Sequence, residues 1–101
     1  MKIKVLAKRP DSKWYATNIE NNLENLQRFV GGYIETVTLA HNLVVICDEE
    51  GQLKNKEYAG HVGGVDFVGD ILIAGIKGEN FTDCPLTLAE ARESRLIWDG
   101  V

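Results

Sequence analysis

The chain has few of the residues that hold small secreted domains together, and no long apolar run. It contains two cysteines in 101 residues, with no Cys-x-x-Cys pair and no histidine at zinc-binding spacing. A disulfide framework or a zinc site is therefore disfavoured, and both cysteines are predicted to be reduced. No apolar run approaches the roughly 18 residues of a membrane helix. The first ten residues lack the apolar stretch of a signal peptide, so we expect a cytoplasmic protein with no membrane partner.

The motifs of the common enzyme and cofactor classes are also missing. There is no phosphate-binding P-loop, no dinucleotide fingerprint and no serine or cysteine paired with a base. The acidic turn Asp48-Glu49-Glu50 lacks the alternating oxygen ligands of a calcium loop. His41 and His61 fall in predicted turns and loops, where surface histidines are more common than catalytic ones. We predict a protein that is not an enzyme and carries no cofactor and no metal.

The length fits one hydrophobic core, so residues 1–101 are predicted to form a single domain. Residues of strand-like pattern alternate with turns and two helical stretches. The predicted order is a strand with Ile3, Val5 and Ala7, a turn at 9–12, a strand over 14–19, a helix, strands over 33–39 and 43–47, a loop over 52–69, a strand over 71–76, and a final helix to about Leu96. This order predicts an α+β fold, with two short helices packed on a mostly antiparallel sheet.

The first helix has clear start and stop signals. Asn21 is the expected N-cap, with Glu24 three residues later, and Gly31-Gly32 is the expected stop. At least one of these glycines should have a positive φ. Thr87 and Glu90 form a capping box that should open the second helix. The predicted core combines the helix stripe with two strands covered on both faces: Leu26, Val30, Val45, Ile46, Leu72 and Ile73.

The long loop over 52–69 is the candidate binding surface. Five residues of the loop combine cations, an amide, an aromatic ring and an imidazole: Lys54, Asn55, Lys56, Tyr58 and His61. Such groups suit a phosphate and a stacked base, so we predict that they bind a small anionic ligand of the nucleotide class. The alternative is an ordinary polar loop.

Charge is distributed unevenly along the chain. Residues 1–13 carry a net charge of +4, so the remaining residues carry −8 to reach the chain total of −4. A basic edge could steer an anionic ligand to one side. The favoured interpretation is simpler: Lys2, Lys4 and Lys8 lie on the wet face of an exposed strand and discourage edge-to-edge association. The acidic remainder disfavours extended nucleic acid as a partner.

Several sequence blocks together resemble the DUF3846 family. They are the segment LENLQRFVGGYIETVTL, the segment NLVVICDEEGQLKN, and the later GDILIAG and ENFTD. The chain departs from the family pattern at 83–86, where Asp-Cys-Pro-Leu replaces a more usual Ser-Leu-Thr entry to the last helix. The resemblance implies a context in bacteriophages and mobile elements, without an assigned activity.

Two classes of binding function are open from the sequence. The favoured one is a phage-type accessory protein that sequesters a small anionic or nucleotide ligand of the host, held by the loop and shared across a homo-oligomer interface. The other is a stoichiometric inhibitor of a host defence protein. The resemblance gives this functional reading by analogy alone.

Overall fold

A computed structural model describes residues 1–98 of the chain. The elements in chain order are β1 (Lys2–Lys8), β2 (Tyr15–Glu20), α1 (Leu23–Val30), β3 (Ile34–Ala40), β4 (Leu43–Asp48), β5 (Tyr58–Val62), β6 (Val65–Val68), β7 (Ile71–Lys77), β8 (Asn80–Thr82) and α2 (Leu88–Glu93). Six strands form one antiparallel sheet in the order β2-β1-β7-β4-β3, and β8 pairs with the far end of β7. The predicted α+β class is confirmed.

The sheet is covered on both faces because its inner strands are apolar at successive positions. All six residues of β4 and the first five of β7 are buried. On one face, Leu26 and Val30 of α1 cover side chains of β1, β4 and β7. On the other, the β5–β6 hairpin, Trp14 and the segment around α2 cover the alternate side chains. All six residues of the predicted core are buried.

The helix boundaries correct one capping prediction and confirm others. The N-cap of α1 is Asn22, whose side chain accepts a hydrogen bond from the Asn25 amide. Asn21 lies one residue too early to cap; its side-chain amide donates instead to the Phe81 carbonyl at 3.0 Å. Gly31 ends α1 with φ 81°, as predicted. The capping box of Thr87 and Glu90 is present, but α2 ends at Glu93 and not near Leu96.

The predicted loop over 52–69 is wrong in its second half, which forms the β5–β6 hairpin as a separate two-stranded sheet. The two strands are joined by Gly63 and Gly64, which have φ of 54° and 87°. A two-residue hairpin loop of type I′ needs positive φ at both positions, and glycine supplies it without strain. The Gly-Gly pair is therefore a hairpin turn. The short β8 strand was also missed.

The structure corrects the placement of Lys8. Lys2 and Lys4 are exposed as predicted, whereas Lys8 is buried with only 8% of its surface accessible. The reason is the hairpin, because Gly60 lies over the Lys8 side chain. A Cβ on Gly60 would be in ordinary contact with Lys8 Cδ, at 3.5 Å. The end of β1 is therefore covered by a layer that the strand pattern did not reveal.

Val45 tests the double-sided burial of β4. Replacing Val45 by Asp would place an unpaired carboxylate in the core under the hairpin, and should lower the free energy of unfolding by roughly 4 kcal/mol or more. Thr38→Asp, on the exposed side of the neighbouring strand β3, is the matched control and should cost little. The measurement is urea denaturation. Equal midpoints for the two variants would contradict the assignment of β4 to the core.

Candidate functional site

The five predicted ligand-binding residues lie in two separate groups of contacts. Lys54, Asn55 and Lys56 belong to the turns between β4 and β5, whereas Tyr58 and His61 lie on β5. The two lysines contact Asp48, and the other pair contacts Asp66. The structure therefore does not gather all five side chains around one carboxylate or one groove. Their joint role in binding one ligand stays a prediction.

Asp48 is the centre of the first group. Its side chain is 1% exposed, and its Oδ2 lies 2.8 Å from Lys54 Nζ and 2.7 Å from Lys56 Nζ. Its Oδ1 accepts from the backbone amide of Glu50 at 2.9 Å. A buried carboxylate of this kind is stable because it is paired and fully hydrogen-bonded. The two lysines thus hold the end of β4, and they are not spare cations of a loop.

The same lysines also complete the end of α1. Lys56 Nζ donates to the Val30 carbonyl at 2.7 Å, and Lys54 Nζ donates to the Gly31 carbonyl at 3.2 Å. Cations at a helix C-terminus satisfy free carbonyls and oppose the helix dipole favourably. A Cβ on Gly32 would lie 2.6 Å from Lys54 Nζ and 2.7 Å from the Asp48 oxygens. Gly31 allows the left-handed backbone that ends α1. Gly32 has no side chain, and this leaves room for the Lys54 and Asp48 side chains.

Asn55 has a conformational role in the same turn. Its φ is 55°, and its amide donates to the Gln52 carbonyl at 3.1 Å. Asparagine enters the left-handed region more readily than most residues. The position of Asn55 is thus explained by the backbone of the turn.

The pKa of Asp48 reflects its surroundings. Burial raises this pKa, but hydrogen bonds from Lys54, Lys56 and the Glu50 amide outweigh burial and lower it from 3.8 to about 2. A carboxyl whose folded pKa is depressed stabilises the fold above its unfolded pKa. That stabilisation is lost as the pH falls from the unfolded value towards the folded one.

We therefore expect acid to weaken the fold through Asp48. Between about pH 5 and pH 2, the wild type should lose on the order of 2 kcal/mol of unfolding free energy that Asp48→Asn does not lose. The measurement is urea denaturation at several pH values. Glu24→Gln is the control, since Glu24 forms an exposed ion pair with Arg28 that contributes little. Identical pH slopes for wild type and Asp48→Asn would refute this role.

Asp66 is the centre of the second group. One of its oxygens, Oδ1, accepts from the Tyr58 hydroxyl at 2.8 Å and lies 2.8 Å from His61 Nδ1. The hydrogen bonds from His61 and Tyr58 lower the pKa of Asp66, and the bond to Asp66 raises the pKa of Tyr58. The contact fixes the imidazole ring through Nδ1, and within residues 1–98 Nε2 has no hydrogen-bond partner.

Tyr58 and His61 line a groove of about 790 Å³ between β5, the β1–β2 turn and the segment after α2. The other residues of this groove are Lys8, Pro10, Asp11, Ser12, Ala59, Gly60, Arg95 and Trp98.

Lys56 instead lines a smaller groove of about 460 Å³ beside α1, together with Arg9, Arg28 and Phe29. The cations there are already paired: Arg9 with Asp70, Arg28 with Glu24 and Lys56 with Asp48. The larger groove is the better candidate because Lys8 and Arg95 form no ion pair among residues 1–98.

Lys8 is the buried cation of the larger groove. Its Nζ donates to the Arg9 carbonyl at 3.1 Å, and among residues 1–98 no carboxylate lies within ion-pair distance of it. A lysine that is buried to this extent is normally paired, because removing its charge from water is costly. Lys8 thus has charge to offer to an anion in the groove. The sequence pattern missed it by placing it on the wet face of β1.

Arg95 is the second cation, and it occupies a strained position. It follows the C-cap Ser94 of α2 with φ 60°. The Leu96 amide donates to the Ala91 carbonyl and the Arg95 amide to the Arg92 carbonyl, both at 3.0 Å. This pattern is the Schellman motif, which usually places glycine where Arg95 stands. No ion pair or hydrogen bond holds its guanidinium in the described part of the chain. No local sequence signal marked this residue.

Other reactive groups fall outside the groove. Both cysteines are free, as predicted, and burial raises the pKa of the Cys47 thiol to about 11. Within residues 1–98, no group of three or more His, Cys, Asp or Glu side chains could hold a metal ion. No helix of the described chain has the length and apolar character needed to cross a membrane.

The fold and the larger groove define an α+β domain with helices on an antiparallel sheet and a cleft lined by cations and aromatic rings. Residues 1–95 match the family model described as a domain of unknown function, DUF3846, so the chain belongs to that family. The resemblance drawn from the sequence blocks is confirmed. No curated protein and no solved structure matches the chain.

Proposed function

We propose that this protein is a non-enzymatic binding protein for a small anion that carries a flat ring, of the nucleotide class, and that the groove beside β5 holds it. The observation that carries the proposal is Lys8. Lys8 is buried with 8% of its surface accessible, and its ammonium donates to one carbonyl. Arg95 is the other cation of the groove without an ion pair among residues 1–98. The proposal keeps Tyr58 and His61 of the predicted site and assigns its cationic part to Lys8 and Arg95.

The charge of Lys8 supports an anionic ligand on energetic grounds. Burying a charge without a counter-ion destabilises a fold, so natural chains rarely retain such a lysine without a use for it. A phosphate entering the groove would supply the missing charge, and its oxygens would accept from both Lys8 and Arg95. Binding would then recover free energy that the empty fold has lost.

The aromatic residues support a planar ring in the ligand. Tyr58 and Trp98 are 56% and 60% exposed, and both line the groove. Exposed aromatic rings beside cations are the usual means of stacking a nucleobase. The groove volume of about 790 Å³ lies within the range of small-molecule sites.

The proposed biological role follows from the family resemblance stated for the sequence. It is a phage-type accessory protein that sequesters a nucleotide-class molecule of its host in the host cytoplasm, with a homo-oligomer enclosing the open side of the groove. A second candidate is stoichiometric inhibition of a host protein. It is favoured by the exposed apolar side chains of Tyr33 and Leu53, which are 66% and 79% accessible.

Lys8→Met separates binding from stability. Methionine keeps the apolar stem under Gly60 and removes the charge, so folding stability should stay unchanged or rise. Affinity for the ligand should fall at least about tenfold, because a charge-assisted contact is worth about 1.5 to 3 kcal/mol. The measurements are urea denaturation and calorimetric titration with mono-, di- and cyclic nucleotides.

Lys2→Met is the matched control, since Lys2 is exposed on the same strand. It should change neither quantity. Added salt should weaken binding to the wild type as the charge contacts are screened. The absence of heat with every nucleotide, together with capture of a host protein by Lys8→Met as efficient as by wild type, would overturn the ligand proposal in favour of protein inhibition.

Replacing Arg95 should also weaken ligand binding without lowering the stability of the fold. Arg95→Gly relieves the strain of the left-handed backbone but increases the conformational entropy of the unfolded chain. The free energy of unfolding should therefore rise by between zero and about 1 kcal/mol. Nucleotide affinity should fall at least about fivefold as one phosphate contact is lost. Arg95→Asn, which tolerates positive φ, should lose affinity equally, and Arg95→Lys should retain most of it. Full affinity in Arg95→Gly would exclude this residue from the site.

A further inference from the structure

We infer that the ligand binds together with a proton, and that His61 is the residue that takes it up. This inference rests on the proposed function, since it concerns the same groove. Its basis is the geometry of three side chains at the β5–β6 hairpin: Asp66 Oδ1 lies 2.8 Å from both the Tyr58 hydroxyl and His61 Nδ1.

Asp66 decides which imidazole nitrogen is free. A carboxylate at Nδ1 favours the tautomer with the proton on Nδ1, so the neutral ring carries a lone pair on Nε2. Neutral Nε2 accepts hydrogen bonds and repels a phosphate oxygen. Once protonated, Nε2 becomes a donor, and the ring adds a positive charge to the groove. The anion therefore prefers the protonated form of His61.

The charged groups of the groove couple the protonation of His61 to the ligand. Asp66 on β6 and Asp11 on the β1–β2 turn favour the imidazolium, whereas Lys8 on β1 and Arg95 after α2 oppose it. Tyr58 on β5 is a neutral donor to Asp66. An anion seated on Lys8 and Arg95 cancels the two opposing charges. Ligand binding and His61 protonation thus reinforce each other, which by linkage makes affinity depend on pH.

The sign of the effect follows from this coupling. Histidine titrates between about pH 5 and pH 8, within which the protonated fraction falls as the pH rises. Affinity should be highest at about pH 6 and decline towards about pH 8, by roughly fivefold to tenfold for one added charge in a partly exposed groove. Proton uptake on binding should be measurable between these limits.

The test uses ligands whose own charge is constant over this range. A 3′,5′-cyclic mononucleotide and a dinucleoside monophosphate are phosphodiesters, whereas a phosphate monoester titrates near pH 6 and would confuse the result. Each is titrated calorimetrically into the full-length protein at about pH 6, 7 and 8, in buffers of low and high ionisation enthalpy. The wild type should take up a fraction of a proton and bind most tightly at the lowest pH.

Three variants separate the roles. His61→Gln should bind without proton uptake at any pH, and its affinity should not change between about pH 6 and pH 8. Asp66→Asn should reduce the uptake, because the carboxylate that favours the imidazolium is gone. Tyr58→Phe retains the aromatic face and should keep the pH slope. The wild-type NMR signal of the His61 ring should move on ligand addition at neutral pH in the direction of protonation.

The outcomes distinguish the two proposals. Binding that is lost in Lys8→Met but shows no proton uptake would overturn the role of His61 and leave the proposed function standing. Uptake that persists in His61→Gln would assign the proton to another group and also overturn the inference. No binding of either probe by the wild type at any pH would overturn both.

Discussion

The rest of the molecule depends on one constraint, which is that the inner strands of its sheet are apolar on both faces. Strands β4 and β7 place alternate residues such as Val45 and Ile46 into two separate cores. A sheet of this kind needs two covering layers. Helix α1 supplies one, and the β5–β6 hairpin, Trp14 and the segment around α2 together supply the other. Because the hairpin must reach over the end of β1, it also covers Lys8, so the groove arises from the need to bury the sheet.

The ion cluster at Asp48 joins the two layers to the sheet. Lys54 and Lys56 bind this carboxylate at the end of β4 and the carbonyls at the end of α1. The chain between β4 and β5 is thereby fixed before it enters the hairpin. A dense group of charged residues in a predicted loop can thus have a structural role. The unpaired cations, which are fewer and farther apart in sequence, are the better guide to a ligand site.

The sequence predicts those features that depend on local pattern. The α+β class, the two-sided burial of β4 and the left-handed Gly31 follow from apolar periodicity and glycine placement, and all are confirmed. The hairpin was missed because residues 52–69 were assigned to one loop, although the Gly63-Gly64 pair within it is a known turn signal. The burial of Lys8 could not be predicted, since it depends on a contact between β1 and a strand about fifty residues later. The same holds for Arg95, whose strain appears only in the backbone.

The charges in and beside the groove favour the proposed anion over a cation. Asp66 Oδ1 already contacts the Tyr58 hydroxyl and His61 Nδ1, so this oxygen is less available to a cation. Lys8 and Arg95 have no such compensation among residues 1–98. Lys8 also belongs to the stretch 1–13 with its net charge of +4, while the rest of the chain carries −8. The uneven charge of the sequence is thus consistent with the proposal that an anion binds beside the end of β1.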